Sequence, residues 1–173
     1  ASALAVDAGA ARLRALERTL DTPLAYQTGS RQDVDVVFLA ATAAQARLIE
    51  PYLRYHGAGT LPVYATAQVW EPGTHAGVNR DLDGIHFCDA PAALSSPETV
   101  TGGALVRLHA LGHDAWMALT ALARLERGET LGGQTGRLRD AGGGRIARTP
   151  ACARFDAGTP RPLPPTGPMA RAP

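Results

Sequence analysis

The segment DVDVVFLAATAAQARLIEPYLRYHGAGTLPVYAT, residues 33–66, contains a complete strand–helix–strand step. Val34, Val36, Val37, Phe38 and Leu39 form a nearly continuous apolar run, the pattern of a strand buried on both faces. Thr42 stands three residues before Gln45, a capping-box spacing that predicts a helix over 43–55. Pro51 removes a backbone donor and crowds the preceding turn, so a kink or an early end is expected near it. His56, Gly57, Ala58 and Gly59 stop the helix, and LPVYAT at 61–66 is the next strand. The short connection between them suits a parallel crossover.

Upstream, DAGAARLRALERTL at 7–20 places Leu13, Leu16 and Leu20 at helical spacing behind Asp7, which predicts a helix packed on a sheet. LAYQT at 24–28 is a short strand followed by the loop GSRQD. Downstream, residues 68–82 hold Trp70, Pro72, Gly73, His75 and Gly77 without a period and are expected to form a long surface loop. GIHFCD at 84–89 is the next strand, ended by Pro91, Ser95, Ser96 and Pro97. Over 104–127, Leu105, Leu108, Leu111, Ala115, Leu119 and Leu122 repeat at three and four, which marks the longest amphipathic helix. Leu131, Leu138 and Ile146, separated by glycines, predict a hairpin turning at 142–144, and a last strand is expected around 153–155. The reading is one α/β lobe over 1–158, a doubly wound parallel sheet with a C-terminal β-hairpin. Residues 159–173 carry six prolines and are expected to be an extended or disordered tail.

Composition narrows the function. The 173 residues carry 17 cations, all arginine, against 16 acidic groups, and no basic run is present. Neutralising many phosphates needs clustered cations, so nucleic acid is a poor partner. The absence of lysine excludes Schiff-base and P-loop lysine chemistry. No apolar stretch approaches the roughly 20 residues of a membrane-spanning helix. Residues 1–6 are apolar but lack a basic n-region, so no intact signal peptide is visible, and a cytosolic protein or a mature or truncated chain is expected. Cys88 and Cys152 are too few for a disulfide scaffold and lack zinc-site spacing. They form one bridge in an oxidising compartment, or remain two buried thiols.

Each chemical candidate has a simpler rival. His109 and His113 share a helix face, but Ala110 stands where a metalloprotease has its glutamate, and no third ligand is evident. Asp81 to Gly84 reads as a turn leading into a strand rather than a carboxylate site. The glycine clusters at 132–136 and 142–144 lack a strand-then-helix context, and no serine occupies a nucleophile elbow. No catalytic set, metal or cofactor is expected. The C-terminal edge of the parallel strands, where open α/β sheets bind ligands, carries Thr42, Thr66, Gln68 and Asp89, with Trp70 on the following loop. Thr42 opens a helix whose amides could accept an anion, although a simple N-cap is the plainer reading. Trp70 suits an interface anchor or, equally, a lid over the core.

Four blocks, taken in order, resemble the C-terminal domain of the LpoA (LppC) family of bacterial outer-membrane lipoproteins. They are VVFLAA at 36–41 with ARLIEPYLRYHGAGTLPVYAT at 46–66, LDGIHFCDAP at 82–91, RLHALGHDAW at 107–116, and GGQTGRLRDAGGGRIAR at 132–148. The resemblance implies the type I periplasmic-binding-protein (leucine-receptor-like) fold of two hinged lobes, of which this chain holds the second lobe with the crossing helix and hairpin. It further implies a lipid-anchored N-terminus and further domains upstream, placing the protein in the periplasm on the inner face of the outer membrane. Family members activate a class A penicillin-binding protein, the bifunctional peptidoglycan synthase, so the resemblance implies a non-catalytic regulator. A small-ligand receptor, for an amino acid or a peptidoglycan fragment, is the alternative. His109 and His113 depart from the residues expected in the family, and so does Cys88, so a Cys88–Cys152 bridge in the oxidising periplasm would be particular to this chain. If the 104–127 helix normally packs on a first lobe, its apolar stripe is expected to dimerise here.

Overall fold

The computed structural model describes residues 6–24, 34–95 and 103–164. Helix α1 spans Val6–Leu20. Leu16 and Leu20 are exposed, and neither hydrophobic core takes a described residue from α1, so the expected packing of its leucines on a sheet is not seen. The strand expected at 24–28 falls almost wholly outside the described residues.

Strands β1 (Val37–Leu39), β2 (Val63–Ala65) and β3 (His86–Asp89) run parallel, in that order, in one sheet. Between β1 and β2 lies α2 (Ala43–Leu53), started by the full capping box. The Thr42 amide donates to Gln45 Oε1 at 3.0 Å, and the Gln45 amide donates back to Thr42 Oγ1. The helix runs through Pro51 and then widens into a π-type turn, Arg54–Ala58, where Gly57 takes φ 81°. Such a left-handed conformation favours glycine and ends the helix.

One face of the sheet carries the core. Leu39, Val63, Ala65, Phe87, Ala153 and Phe155 pack against Ala46 of α2 and against Val69, Trp70, Leu82 and Ile85. Val69, Trp70 and Leu82 belong to the segment expected to be a surface loop. That segment instead folds into two 3₁₀ turns, Ala67–Val69 and Ala76–Leu82, that bury Val69, Asn79 and Leu82. The opposite face is open, and this corrects the reading of β1 as buried on both faces. Phe38 is 70% exposed, because no described helix lies over it. Phe38, Tyr64, His86, Arg154 and Arg161 line up across the five strands on that side.

After β3 come the short α3 (Pro91–Leu94), the long α4 (Gly103–Thr120) and, beyond a break at Ala121, α5 (Leu122–Glu126). A three-stranded meander follows: β4 (Leu131–Gly132), β5 (Arg137–Asp140) and β6 (Ile146–Thr149), with the glycine turn at 142–144. Leu131 and Leu138 form a second small core with Ala118 and Leu125. The chain then returns to the first sheet as β7 (Ala151–Asp156), antiparallel to β3.

The tail expected to be unstructured begins with an ordered strand, β8 (Thr159–Pro162), paired with β7. Ala157 and Gly158, both at positive φ, make the two-residue turn between them. A Cβ at Gly158 would strike the Ala76 carbonyl, so only glycine fits there. Pro160 and Pro162 are tolerated because β8 is an edge strand, whose outward positions need no amide.

Cys88 and Cys152 sit opposite each other in the β3–β7 register and are joined by a disulfide across 64 residues of chain. Closing a loop of that length stabilises by roughly 4 kcal/mol in the chain-entropy account. Reduction, or the Cys88→Ser/Cys152→Ser pair, is expected to lower the melting temperature by about 10 °C, read by circular dichroism with and without dithiothreitol. An unchanged melting curve would show that the bridge adds nothing to the pairing of β7.

Candidate functional site

The C-terminal ends of β2 and β3 meet the inner face of α4. Arg107 and Asp114 lie seven residues apart, two helical turns, so both side chains project from the same inward side. The Arg107 guanidinium grips Asp89: Nη2 donates to Oδ2 at 2.6 Å, and Nε reaches both carboxylate oxygens at 3.0 Å. Its Nη2 also donates to the carbonyls of Trp70 at 2.8 Å and Ala67 at 3.2 Å. Asp89 is buried, and its Oδ1 accepts the Ala90 amide at 2.7 Å. A buried carboxylate needs such partners, because leaving it unpaired costs several kcal/mol.

Asp114 makes the second tie. Its Oδ1 accepts the Gln134 amide at 2.8 Å, while Oδ2 accepts the Thr135 amide at 2.7 Å and the Thr135 hydroxyl at 2.6 Å. Gly133 is obligatory beside it, since a Cβ there would collide with the carboxylate. The Gln134 carbonyl in turn accepts the Ala92 amide, which joins the loop to α3. Burial pushes the Asp114 carboxyl up, but the hydrogen bonds from Thr135, Gln134 and His113 outweigh it and hold the group below the ordinary carboxylate range.

Between the two ties runs a groove of about 430 Å³, lined by Ala67, Cys88, Asp89, Ala90, Arg107, Leu108, Leu111, Thr135, Arg148 and Pro150. Of the residues expected at the strand edge, Asp89 lines this groove, and Thr42, Thr66, Gln68 and Trp70 do not. Thr42 spends its hydroxyl on the capping box, which fixes the plain N-cap reading. Thr66 precedes the first 3₁₀ turn, and Gln68 is exposed within it. Trp70 is core: its indole N–H donates to the Ala93 carbonyl at 2.9 Å and its ring meets Phe155 edge-on. It is therefore a lid rather than a surface anchor.

His109 and His113 are exposed, and His113 Nδ1 lies 3.2 Å from Asp114. No group of three His, Cys, Asp or Glu side chains able to hold a metal occurs among the described residues. Arg107, Asp114, Thr135 and Arg148 were not legible as site residues. The available signal was one arginine and one aspartate, seven residues apart, on a helix whose other residues carry no carboxylate or guanidinium.

A profile of the LppC putative lipoprotein family matches residues 1–158. The chain belongs to that family. It is 28% identical over 136 residues to the penicillin-binding protein activator LpoA of Edwardsiella piscicida, covering 69% of this chain and 19% of the relative. The activator LpoA of Serratia proteamaculans (strain 568) is 30% identical over 156 residues, covering 83% of this chain and 23% of the relative. The chain thus spans about a fifth of the length of the curated relatives it matches. Among solved structures, the LpoA (YraM) C-domain from Haemophilus influenzae, a regulator of PBP1A, superposes with TM-score 0.64 at 21% identity, over 90% of this chain and 56% of that one. A putative branched-chain amino acid ABC transporter from Chromobacterium violaceum ATCC 12472 superposes with TM-score 0.55 at 24% identity, over 88% and 56%. The LppC-family lobe is thus an α/β unit of the periplasmic-binding-protein-like kind, and the two ties join its RLHALGHDAW block to Asp89 of LDGIHFCDAP and to the GGQTG loop. No described helix of the LppC-family chain is long and apolar enough to cross a membrane.

Two predictions follow from the ties. Arg107→Met leaves Asp89 buried and unpaired and is expected to cost about 3 kcal/mol in urea unfolding, with Arg107→Met/Asp89→Asn recovering part of that loss. Additive losses would show that the pair is not coupled. Asp114 is depressed in the fold, so its stabilisation is complete above the ordinary carboxylate pKa and is lost as the pH falls through the lower folded value. Asp114→Asn is expected to cost about 3 kcal/mol at pH 7 and to flatten the fall in stability below about pH 4. Parallel pH profiles for the two proteins would contradict the assignment.

Proposed function

We propose that this chain is a non-catalytic regulatory lobe that binds and activates a bifunctional class A penicillin-binding protein. In this reading it works in the periplasm, as part of a lipoprotein anchored to the inner face of the outer membrane. The observation that carries the reading is the family match over residues 1–158, together with relatives named penicillin-binding protein activators. An activator acts by binding the active form of its target more tightly than the inactive form, since only differential affinity shifts a population. Such a device needs a rigid surface rather than a reactive centre. The strand-end edge supplies a candidate: Thr42 and Gln68 stand exposed at its rim, and Asp89 and Trp70 fix it from below.

The groove beside Asp89 and Arg107 favours a second reading, a binding site for an amino acid or a peptidoglycan fragment, because it lies where open α/β sheets take ligands. One experiment separates the two. The chain is titrated against the class A penicillin-binding protein of its own organism while glycan-strand synthesis is followed. Saturable binding with faster synthesis, weakened by Gln68→Arg without a change in melting temperature, is the expected result. Absence of binding, with thermal stabilisation by an amino acid or a muropeptide, would transfer the assignment to the groove.

A further inference from the structure

Helix α2 has two unlike sides. Ala43, Ala46 and Glu50 recur at three and four and are buried. Leu48, Tyr52 and Tyr55 recur at four and three, and Leu48 and Tyr52 follow Ala46 and Glu50 by two positions, so this stripe stands about 200° round the helix from the buried one. Leu48, Tyr52 and Tyr55 are 70%, 68% and 84% exposed. The charged groups of the helix are spent beside the stripe. Arg47 donates to Asn79 Oδ1 at 2.8 and 3.2 Å, while Arg54 pairs with the buried Glu50 at 2.7 Å and donates to the Asp83 carbonyl at 2.9 Å. The widened turn after the helix sets the His56 ring against both phenols, near-parallel to Tyr52 with centroids 6.4 Å apart and edge-on to Tyr55 at 5.1 Å. The aromatic rings are thus held before a partner arrives, which lowers the entropy lost on binding.

We propose that this stripe of α2 is the docking face for the class A penicillin-binding protein, which meets it with an uncharged, apolar surface bearing hydrogen-bond acceptors for the two phenols. The proposal rests on the activator reading above and adds to it the surface and the chemistry of the contact. Area selects the occupant. Leu48, Ile49, Tyr52 and Tyr55 together expose on the order of 500 Å², the size of patch that a single chain carries for function. An equal area on a partner brings the total to about 1,000 Å², below what a stable dimer of identical chains buries and within the range of transient regulatory contacts. The composition agrees, because the centres of such interfaces are rich in tyrosine and poor in charge. The stripe also continues the strand-end rim, since exposed Ala44 and Gln45 lie between Thr42 and Leu48.

The whole chain is titrated by interferometry against the purified class A penicillin-binding protein of its own organism, and each variant is melted alongside. Tyr52→Ala/Tyr55→Ala is expected to weaken binding by about tenfold or more at an unchanged melting temperature. Tyr64→Ala, on the far face of the sheet from α2, is expected to leave binding as it was. Tyr55→Cys labelled with benzophenone maleimide is expected to capture the synthase on illumination, and this arm decides if the double variant fails to fold. Full binding by the folded double variant, or an equal loss in Tyr64→Ala, would overturn the docking face while the activator reading stood. No binding by the unaltered chain would remove both. A dimer of the chain that the double variant abolishes would overturn the proposal in favour of a second copy. Sedimentation with purified peptidoglycan that the double variant loses, with synthase binding retained, would overturn it in favour of a glycan.

Discussion

The Arg107 guanidinium holds together three parts of the chain that are distant in sequence. It binds the Asp89 carboxylate at the end of β3 and two carbonyls of the segment after β2, and it is itself carried on α4. Without it, a carboxylate would be buried at the head of the sheet with no cation, and the Trp70 turn would lose an anchor. Hydrophobic contact is non-directional and would let α4 slide or roll over the strand ends. A guanidinium fork fixes both position and angle. Asp114 repeats the device two turns later and draws in the meander loop through Gln134 and Thr135. The small second core follows from these ties, because they seat Ala118 and Leu125 against Leu131 and Leu138.

Much of this architecture could be read from the chain where the determining physics is local. The Thr42–Gln45 capping box, the apolar strands around Val37 and Val63 and the glycine turn at 142–144 each declare themselves within a few residues, and the parallel order follows from the crossover. The remainder depends on contacts that are remote in sequence. Residues 68–82 show no period because 3₁₀ turns bury single residues irregularly, so Trp70, Asn79 and Leu82 resembled surface. The strand at Thr159–Pro162 was hidden by its prolines, which an edge position allows. Phe38 sits in a run that looks buried on both sides, yet the helix needed to cover it is not among the described residues. Arg107 and Asp114 looked like ordinary helix charges, because sequence does not show which side of a helix with leucines on several faces turns inward.

In the proposed function the chain acts through shape. Its polar groups are consumed in holding α4, the Trp70 turn and the meander in one arrangement, and its remaining apolar and edge surfaces are left to meet partners. That division suits a regulator that must present a fixed surface to a larger synthase. In that reading the two polar motifs, Arg107–Asp89 and Asp114–Thr135, serve to position surfaces.

The Asp114 carboxylate clamps the Gln134–Thr135 loop to α4, and native-state hydrogen exchange reads that clamp most directly. The amides of Gln134 and Thr135 lie in a loop, where exchange is ordinarily fast. Protection at these two amides is expected to be comparable to that of the β3–β7 ladder, and to be lost in Asp114→Ala while the ladder stays protected. Rapid exchange at Gln134 and Thr135 in the unaltered chain would contradict it.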